Sequence, residues 1–380
     1  MNTQTPEMEE RMRGAIALAR KAWGKTACNP MVGARIFEGN LCLAEAYHQR
    51  SGGPHAEVLA LDAFEGPVTE ETELYITLEP CSTEGRTGAC TDAIIRSGIV
   101  RVVVGTLDPN PLHRGKGIEV LKAAGIAVIT GVAEAECREL NMIYNHWIQH
   151  RRPFCAMKFA TTLDGYFSTA SGQSKWITGE MARSDVMWWR RLFPAIAVSH
   201  NTVCSDNPQL TSRFRGVDGI GEESVHCPTR FVFNRQLREI ENYDQYRLFQ
   251  DAHADQTIVV HSDTVPADRS QALESMGIRA WSIAEREGRL SMEAFFLRCA
   301  EAEIPGIYIE PGARLASQLL TEGSVDYVFV YQASKFLLDS EAASLGLNRK
   351  SESMDECLLL QSVIHKTLGG DHLTRGYTKK

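Results

Sequence analysis

No stretch of this chain approaches the roughly 20 consecutive apolar residues that a membrane-spanning helix requires. Its first residues, "MNTQTPEMEERMR", lack the apolar segment of a secretory leader, so export is not expected. A basic excess is missing too: 40 Lys and Arg stand against 48 Asp and Glu, a formal net charge of -8. Proteins that grip nucleic acid through its phosphates usually carry surplus cations. The expected partner is therefore a small molecule, with no nucleic acid and no membrane. Internal repeats and low-complexity tracts are also missing. Ten cysteines are present, but their irregular spacing in a long chain without a leader is no disulfide framework. A reducing cytoplasm is the expected compartment.

The composition that remains is 43% hydrophobic over 380 residues, enough for a core in each of two or three domains. Glu9 to Ala22 places apolar residues at helical spacing. "MVGARIF" and "LCLAEAY" predict two strands joined at "EGN". "GGPHAEVLALDAF" predicts a helix with proline at its start, "ELYITLEP" a strand, and "CTDAIIRSG" a helix closed by glycine. "VRVVVGT" and "AVITG" predict strands flanking the helix "GIEVLKAAGI". This alternation points to a three-layer α/β sandwich. Cys137 to Pro153 reads as one helix stopped by a basic, proline-containing segment, so the boundary is placed there. The expected domains are 1–150 and 151–380. "FCAMKFATTLDG", "PAIAVS", "TRFVFN", "QTIVVHS", "IRAWSI", "GIYIEP" and "VDYVFVYQ" predict strands of a second α/β domain. "GEMARSDVMWWRRLF", "SMEAFFLRCAEA" and "RLASQLLTEG" predict its helices. The polar tail from about Leu345 carries little signal.

The chemistry gathers around "EPCSTEGRTGAC", Glu79 to Cys90. Cys81 follows a predicted strand and a proline, and Cys90 opens a predicted helix. His55 and Glu57 lie at the start of the helix near Pro54. One imidazole and two thiolates make three corners of a zinc tetrahedron and leave the fourth for water. A carboxylate nearby that does not ligate can move protons, and Glu57 is placed for that. His-x-Glu followed by Pro-Cys and a second Cys is the pattern of zinc deaminases. Here eight residues separate the cysteines instead of two, a departure from the nucleic-acid-editing form. Core packing of the thiols, a purely structural zinc and a non-enzymatic zinc-binding regulator remain as other readings. Three visible ligands and an adjacent carboxylate speak for the catalytic one.

At "NPMVGA", "GGPHAEVLAL", "TLEPCSTEGRTGAC" and "DPNPLHRGKGIEVLKAAGI" the sequence resembles the deaminase half of the bifunctional riboflavin-biosynthesis deaminase/reductases. "RPFCAMKFATTLDG", "WITG", "DNPQLTSR" and "IEPGARLASQLL" resemble the reductase half, and together the likeness covers about residues 9 to 340. It implies an N-terminal cytidine-deaminase-like sandwich and a C-terminal dihydrofolate-reductase-like domain. It also implies zinc-dependent deamination of a diaminopyrimidinone bearing a ribosylamino 5-phosphate, then NADPH-dependent reduction of the ribosyl group to ribityl. On the deaminase side the resemblance implies His55, Cys81 and Cys90 as zinc ligands, Glu57 as proton shuttle and Asn29 as a pyrimidine contact. Arg86 and Thr87, in the inserted "GRT", are the expected donors to the substrate's phosphate.

In the reductase half it implies Lys158, Ser174, Arg190, Leu210, Arg213 and Glu310 as substrate positions, with Asp164 just after the first strand. Trp176, Thr202, Asp206 and the segment from Gly312, Ala313 and Arg314 to Gln318 match NADPH positions. The likeness also implies a homodimer or homotetramer formed through the reductase domain. The chain departs from the family where Gly-x-Gly-Thr is replaced by Ser199, His200, Asn201 and Thr202, and where Glu-Gly-Gly is replaced by Glu310, Pro311 and Gly312. Gly88 and Ala89 stand where two prolines are usual. Proline deletes a backbone donor, and side chains replace glycine where backbone approaches a cofactor. An active deaminase with a structural reductase domain that binds NADPH weakly is therefore the alternative expectation. A nucleic-acid deaminase with an accessory domain is the other rival.

Overall fold

The computed structural model describes residues 4–26, 28–83, 88–214, 225–345 and 352–379. Among these the chain divides into two compact units, one built on residues up to Arg151 and the other on residues from Arg152.

In the first unit α1 (Pro6–Ala19) is followed by β1 (Gly33–Glu38), β2 (Leu41–Tyr47), α2 (Ala56–Asp62) and β3 (Thr72–Leu78). Then come α3 (Cys90–Ser97), β4 (Arg101–Thr106), α4 (Lys116–Ala123), β5 (Ala127–Thr130), α5 (Glu134–Leu140) and α6 (Met142–His150). The strands form one sheet in the order β2-β1-β3-β4-β5. β1 pairs antiparallel with β2 and β3, while β3-β4 and β4-β5 are parallel. The central strand β3 is buried along its whole length, as expected of a strand covered on both faces. Alternation along it sends Leu74 and Ile76 into a core with Ala56, Ala60, Ile94 and Leu121 of α2, α3 and α4. Tyr75 faces the opposite core, with Met12, Ile16 and Cys137 of α1 and α5. Helices thus cover both faces of the sheet.

The stretch Cys137 to Pro153 is not one helix. Asn141 sits between α5 and α6 with φ -117° and ψ 32°. Its side chain accepts from the Met31 N–H at 2.7 Å and donates to the Met31 carbonyl at 2.9 Å. Both groups lie in the interior, so the side-chain amide supplies bonds that Met31 would otherwise lack. That pairing spans 110 positions of sequence and is invisible to helical periodicity.

In the second unit β6 (Phe154–Thr161), β7 (Tyr166–Ser168), α7 (Glu180–Leu192), β8 (Ala195–Ser199) and α8 (His200–Asp206) lead to β9 (Thr229–Phe233) and β10 (Thr257–Ser262). α9 (Ala267–Ser275), β11 (Arg279–Ile283), the ribbon β12 (Glu285–Arg286) and β13 (Arg289–Leu290), α10 (Met292–Glu301), β14 (Gly306–Ile309) and α11 (Ala313–Thr321) follow. β15 (Tyr327–Ala333), β16 (Ala343–Ser344), β17 (Leu360–Leu368) and β18 (Asp371–Thr378) close the chain. The main sheet has the order β11-β10-β9-β8-β14-β6-β15-β18-β17. Its strands from β11 to β15 run parallel, and β18 and β17 add an antiparallel hairpin.

One sequence expectation is corrected here. The tail beyond Leu345 is no featureless end: β17 and β18 extend the sheet at its β15 edge. β17 is exposed at most positions, so it lacks the apolar alternation by which a strand is read from sequence. The segment after "PAIAV", where the family's glycines are replaced, is the start of α8. Ser199 caps it, its Oγ accepting from the Thr202 N–H at 3.3 Å, which suits serine at a helix N-cap.

Candidate active site

β3 ends at Leu78, and the chain passes through Glu79 and Pro80 to Cys81. Glu79 is buried, and its carboxylate accepts three backbone N–H groups. These come from Asp108 at 3.0 Å, Gly115 at 2.9 Å and Gly117 at 2.9 Å. One side chain thereby ties the loop before α4 to the strand end that carries Cys81. Sequence reasoning passed over it, although a carboxylate directly after a buried strand and before Pro-Cys was the available signal. A Cβ on Gly117 would collide with the Pro80 carbonyl oxygen, so the glycine permits the approach. Glu79→Ala leaves three donors without their partner, at about 1–3 kcal/mol for each one that stays buried. A fall in the first unit's denaturation midpoint and weaker metal retention are the expected results. An unchanged midpoint would count against this role.

His55 occupies the N-cap of α2, and Cys90 is the first residue of α3. Neither helix start is capped by a side chain, so their uncompensated N–H groups favour nearby anionic sulfur. His55 Nδ1 lies 3.1 Å from Cys90 Sγ and 3.6 Å from Cys81 Sγ, and the Cys90 N–H donates to Cys81 Sγ at 3.4 Å. All three ligand atoms fall within 4.8 Å of one another. Bond lengths of about 2.0–2.3 Å in a tetrahedron imply donor separations near 3.5 Å, so the donor set and its spacing fit zinc. The hydrogen bond from Cys90, against the effect of burial, draws the Cys81 thiol down to about 4. The same bond pushes Cys90 up. Zinc binding requires both sulfurs as thiolates.

Glu57, two residues beyond His55, is buried. Desolvation pushes its carboxyl up to about 7, against the pull of its own backbone N–H and of His55. His48, which sequence reasoning missed, stands edge-on to His55 with ring centroids 5.6 Å apart. Its Nδ1 lies 3.0 Å from the Pro54 carbonyl, which fixes the proton on that nitrogen, and burial lowers its pKa. Its Nε2 is buried and lacks a partner among the described residues. Asn29 is partly buried in a turn, its N–H donating to the Thr26 carbonyl at 3.0 Å. Arg86 and Thr87 lie outside the described residues.

In the second unit Lys158, Arg190 and Glu310 come together beside the end of β14, on the side of a parallel sheet where ligands are placed. Glu310 follows β14, and Arg190 reaches it from the last turn of α7. Their two bonds measure 2.6 Å (Nε to Oε1) and 2.9 Å (Nη2 to Oε2), a forked pair. Lys158 Nζ stands 3.8 Å from Glu310 Oε2. Burial raises the Glu310 carboxyl, but Arg190 and Lys158 overcome it and hold the group at about 2. Arg190 also donates to the Thr211 carbonyl at 3.3 Å, and Arg213 donates to Thr211 Oγ1 at 2.9 Å. The residue before Thr211, Leu210, is buried and at φ 53°, a conformation uncommon for a residue with a Cβ.

Ser174 donates to both carboxylate oxygens of Asp206 at 3.3 Å, and Lys175 Nζ donates to the Asp206 carbonyl at 2.7 Å. Thr202 lies on α8 beside its cap. Trp176 is 65% exposed, with the Arg183 guanidinium 4.5 Å from its ring. Asp164 is engaged elsewhere, accepting from the N–H groups of Leu337 and Leu338 at 3.1 and 2.9 Å. Gly312 is the N-cap of α11 and offers no side-chain cap; a Cβ there would meet open space. Ala313 and the exposed Arg314 form its first turn. An uncapped helix start with a cation beside it fits a phosphate-bearing cofactor.

A family model described as "Cytidine and deoxycytidylate deaminase zinc-binding region" matches residues 6–106, and one described as "RibD C-terminal domain" matches residues 153–371. The chain is 36% identical to the riboflavin biosynthesis protein RibD of Aquifex aeolicus, covering 95% of each. Against the RibD of Actinobacillus pleuropneumoniae it is 35% identical, covering 95% of this chain and 93% of that protein. Among solved structures, Acinetobacter baumannii RibD (form 1) superposes with a TM-score of 0.80 at 32% identity, covering 98% of this chain and 99% of that one.

Proposed function

Because the chain belongs to the RibD family, and is thus a deaminase and reductase of riboflavin biosynthesis that uses zinc and NADPH, we propose that its two units act in turn on one pyrimidine ribose-phosphate. The reading that the second unit is only structural is not favoured, since the likeness runs through both halves. A homologous protein of Thermotoga maritima, 29% identical with a TM-score of 0.78, is described as a diaminohydroxyphosphoribosylaminopyrimidine deaminase/5-amino-6-(5-phosphoribosylamino)uracil reductase. We take those two compounds as this chain's successive substrates.

The observation that carries the deaminase reading is the mutual approach of His55, Cys81 and Cys90 with a buried carboxylate two residues beyond His55. Zinc held by those three side chains supplies a Lewis acid that acidifies water. Glu57 takes a proton from the attacking water and passes protons on to the ring nitrogen and the departing amine, so that N=C–NH2 and water become HN–C=O and ammonia. His48 presents a fixed acceptor nitrogen beside the site and helps to orient the pyrimidine, as does Asn29. Arg86 and Thr87 receive the phosphate end.

In the reductase unit NADPH, held by the residues named below, would supply hydride for the reduction of the ribosyl group to ribityl, with a proton taken up from solvent. Lys158, Ser174, Leu210 and Arg213 line the substrate's place, and Arg190 with Glu310 holds that wall rigid. Thr202, Asp206, Trp176 and the start of α11 from Gly312 to Arg314 receive the cofactor. The partly exposed edge strand β17 is the surface we assign to a dimer or tetramer contact, since unpaired strand edges seek partners. A reducing cytoplasm suits the thiolate ligands. The test is a coupled assay on the purified chain, with and without NADPH. Ammonia release without NADPH and a further NADPH-dependent product are expected. Deamination with no NADPH oxidation on the deaminated product would overturn the two-step reading.

A further inference from the structure

Beyond the deaminase and reductase readings, the second unit carries a group of metal-ligating side chains that neither uses. His200 and Cys204 are four residues apart on α8, so they project from one helix face. His200 Nε2 lies 3.3 Å from Cys204 Sγ. From the other side Glu239 Oε2 lies 3.6 Å from the sulfur and 3.6 Å from the imidazole nitrogen. All three ligand atoms fall within 4.8 Å of one another, as do those of His55, Cys81 and Cys90. We propose that His200, Cys204 and Glu239 form a second binding site, for a divalent cation of zinc's borderline class.

The donor set selects the class. Thiolate and imidazole suit zinc and are poor partners for magnesium or calcium, which take oxygen. The separations are again near the 3.5 Å or so of a tetrahedral edge. The frame is already built. Glu239 adopts φ 53°, a left-handed conformation that a residue with a Cβ rarely takes. The residue before it is clamped: Asn234 Oδ1 accepts from the Arg238 N–H at 3.0 Å, and Asn234 Nδ2 donates to the Arg238 carbonyl at 2.8 Å. Tyr243, fully buried, packs its ring 5.8 Å from that of His200. His200 is therefore fixed, while Cys204 and Glu239 are exposed enough to admit an ion.

The site lies where this chain departs from the family's glycines. α8 also carries Thr202 and Asp206, so a cation bridging α8 to Glu239 would hold that helix in place at the carboxyl end of β8. Binding to the folded unit alone raises its stability by mass action.

The experiment uses the full chain, stripped with a chelator and reloaded with zinc alone. Elemental analysis is expected to find two equivalents per chain in the parent, and one fewer in Cys204→Ser and in Glu239→Gln. Cys90→Ser is expected to lose the other equivalent. Zinc is also expected to protect Cys204 from a thiol-alkylating reagent, read by peptide mass mapping, and Glu239→Gln to remove that protection. Circular dichroism and the second unit's thermal transition check that each variant is folded. If the reloaded parent holds a single equivalent, or if folded Cys204→Ser keeps both, the three side chains are only hydrogen-bonded neighbours and the proposal falls. The outcome is independent of whether either catalytic reading holds.

Discussion

Glu57→Gln is expected to lower the deamination rate by about 10²–10⁴-fold, the usual contribution of a positioned acid–base group, while the zinc bound at His55, Cys81 and Cys90 stays. Glutamine has nearly the same volume, so it leaves the buried position filled. It cannot take a proton from water or return one to the leaving nitrogen. The pH dependence has a definite sign. Glu57 must be ionised to accept the proton, so the rate falls as pH drops through its pKa. Burial, partly offset by its own backbone N–H and by His55, raises that value to about 7, and a neighbouring dication pulls it lower. The acid limb of the parent enzyme is therefore expected below about pH 7 and should vanish in Glu57→Gln. Steady-state rates of ammonia release, with metal analysis of the same samples, decide it. A variant that keeps its zinc and its rate would remove Glu57 from the mechanism.

The second large effect is on stability. Glu310→Ala removes the partner of Arg190 and Lys158, both little exposed, and leaves two cations facing each other. Breaking a buried pair in this way costs about 3–5 kcal/mol. Replacing all three, as in Arg190→Met and Lys158→Met with Glu310→Leu, is expected to cost much less, because no bare charge remains. Acid should act like the single substitution. Glu310 is held at about 2 in the folded unit, below its unfolded value of about 4.3. Its contribution is thus fully present above that unfolded value and is lost as pH falls through the range from about 4 to 2. Because two units unfold, the measurement is the second unit's own transition in chemical denaturation at several pH values. A Glu310→Ala midpoint within experimental error of the parent would show that this pair carries no such strain.

These predictions rest on residues of unequal visibility in the sequence. His55, Glu57, Cys81 and Cys90 were legible because ligand chemistry is written in residue type, and because each flanks an element whose periodicity can be read. The parallel strands of both units were legible for a similar reason: burial on both faces leaves continuous apolar runs. Glu79, Asn141 and His48 were not. Their importance lies in backbone groups and rings that fold against them from remote positions, and residue type alone does not say which partner arrives. α8 was hidden because Ser199, His200 and Asn201 replace glycines without adding an apolar stripe, so the N-cap bond of Ser199 decided the local conformation. The β17–β18 hairpin was hidden because strand pairing, rather than burial, holds its outer strand.

The amino-acid order by itself determined the class of each unit and pointed to the cluster of His55, Cys81 and Cys90 with Glu57 beside it, since periodicity and donor chemistry are local properties. Only the tertiary structure decided that Glu310 neutralises Arg190 and Lys158, and that Glu239 closes on His200 and Cys204. Those contacts join residues far apart in the chain, and the energy that brings them together comes from burying the sheets between them.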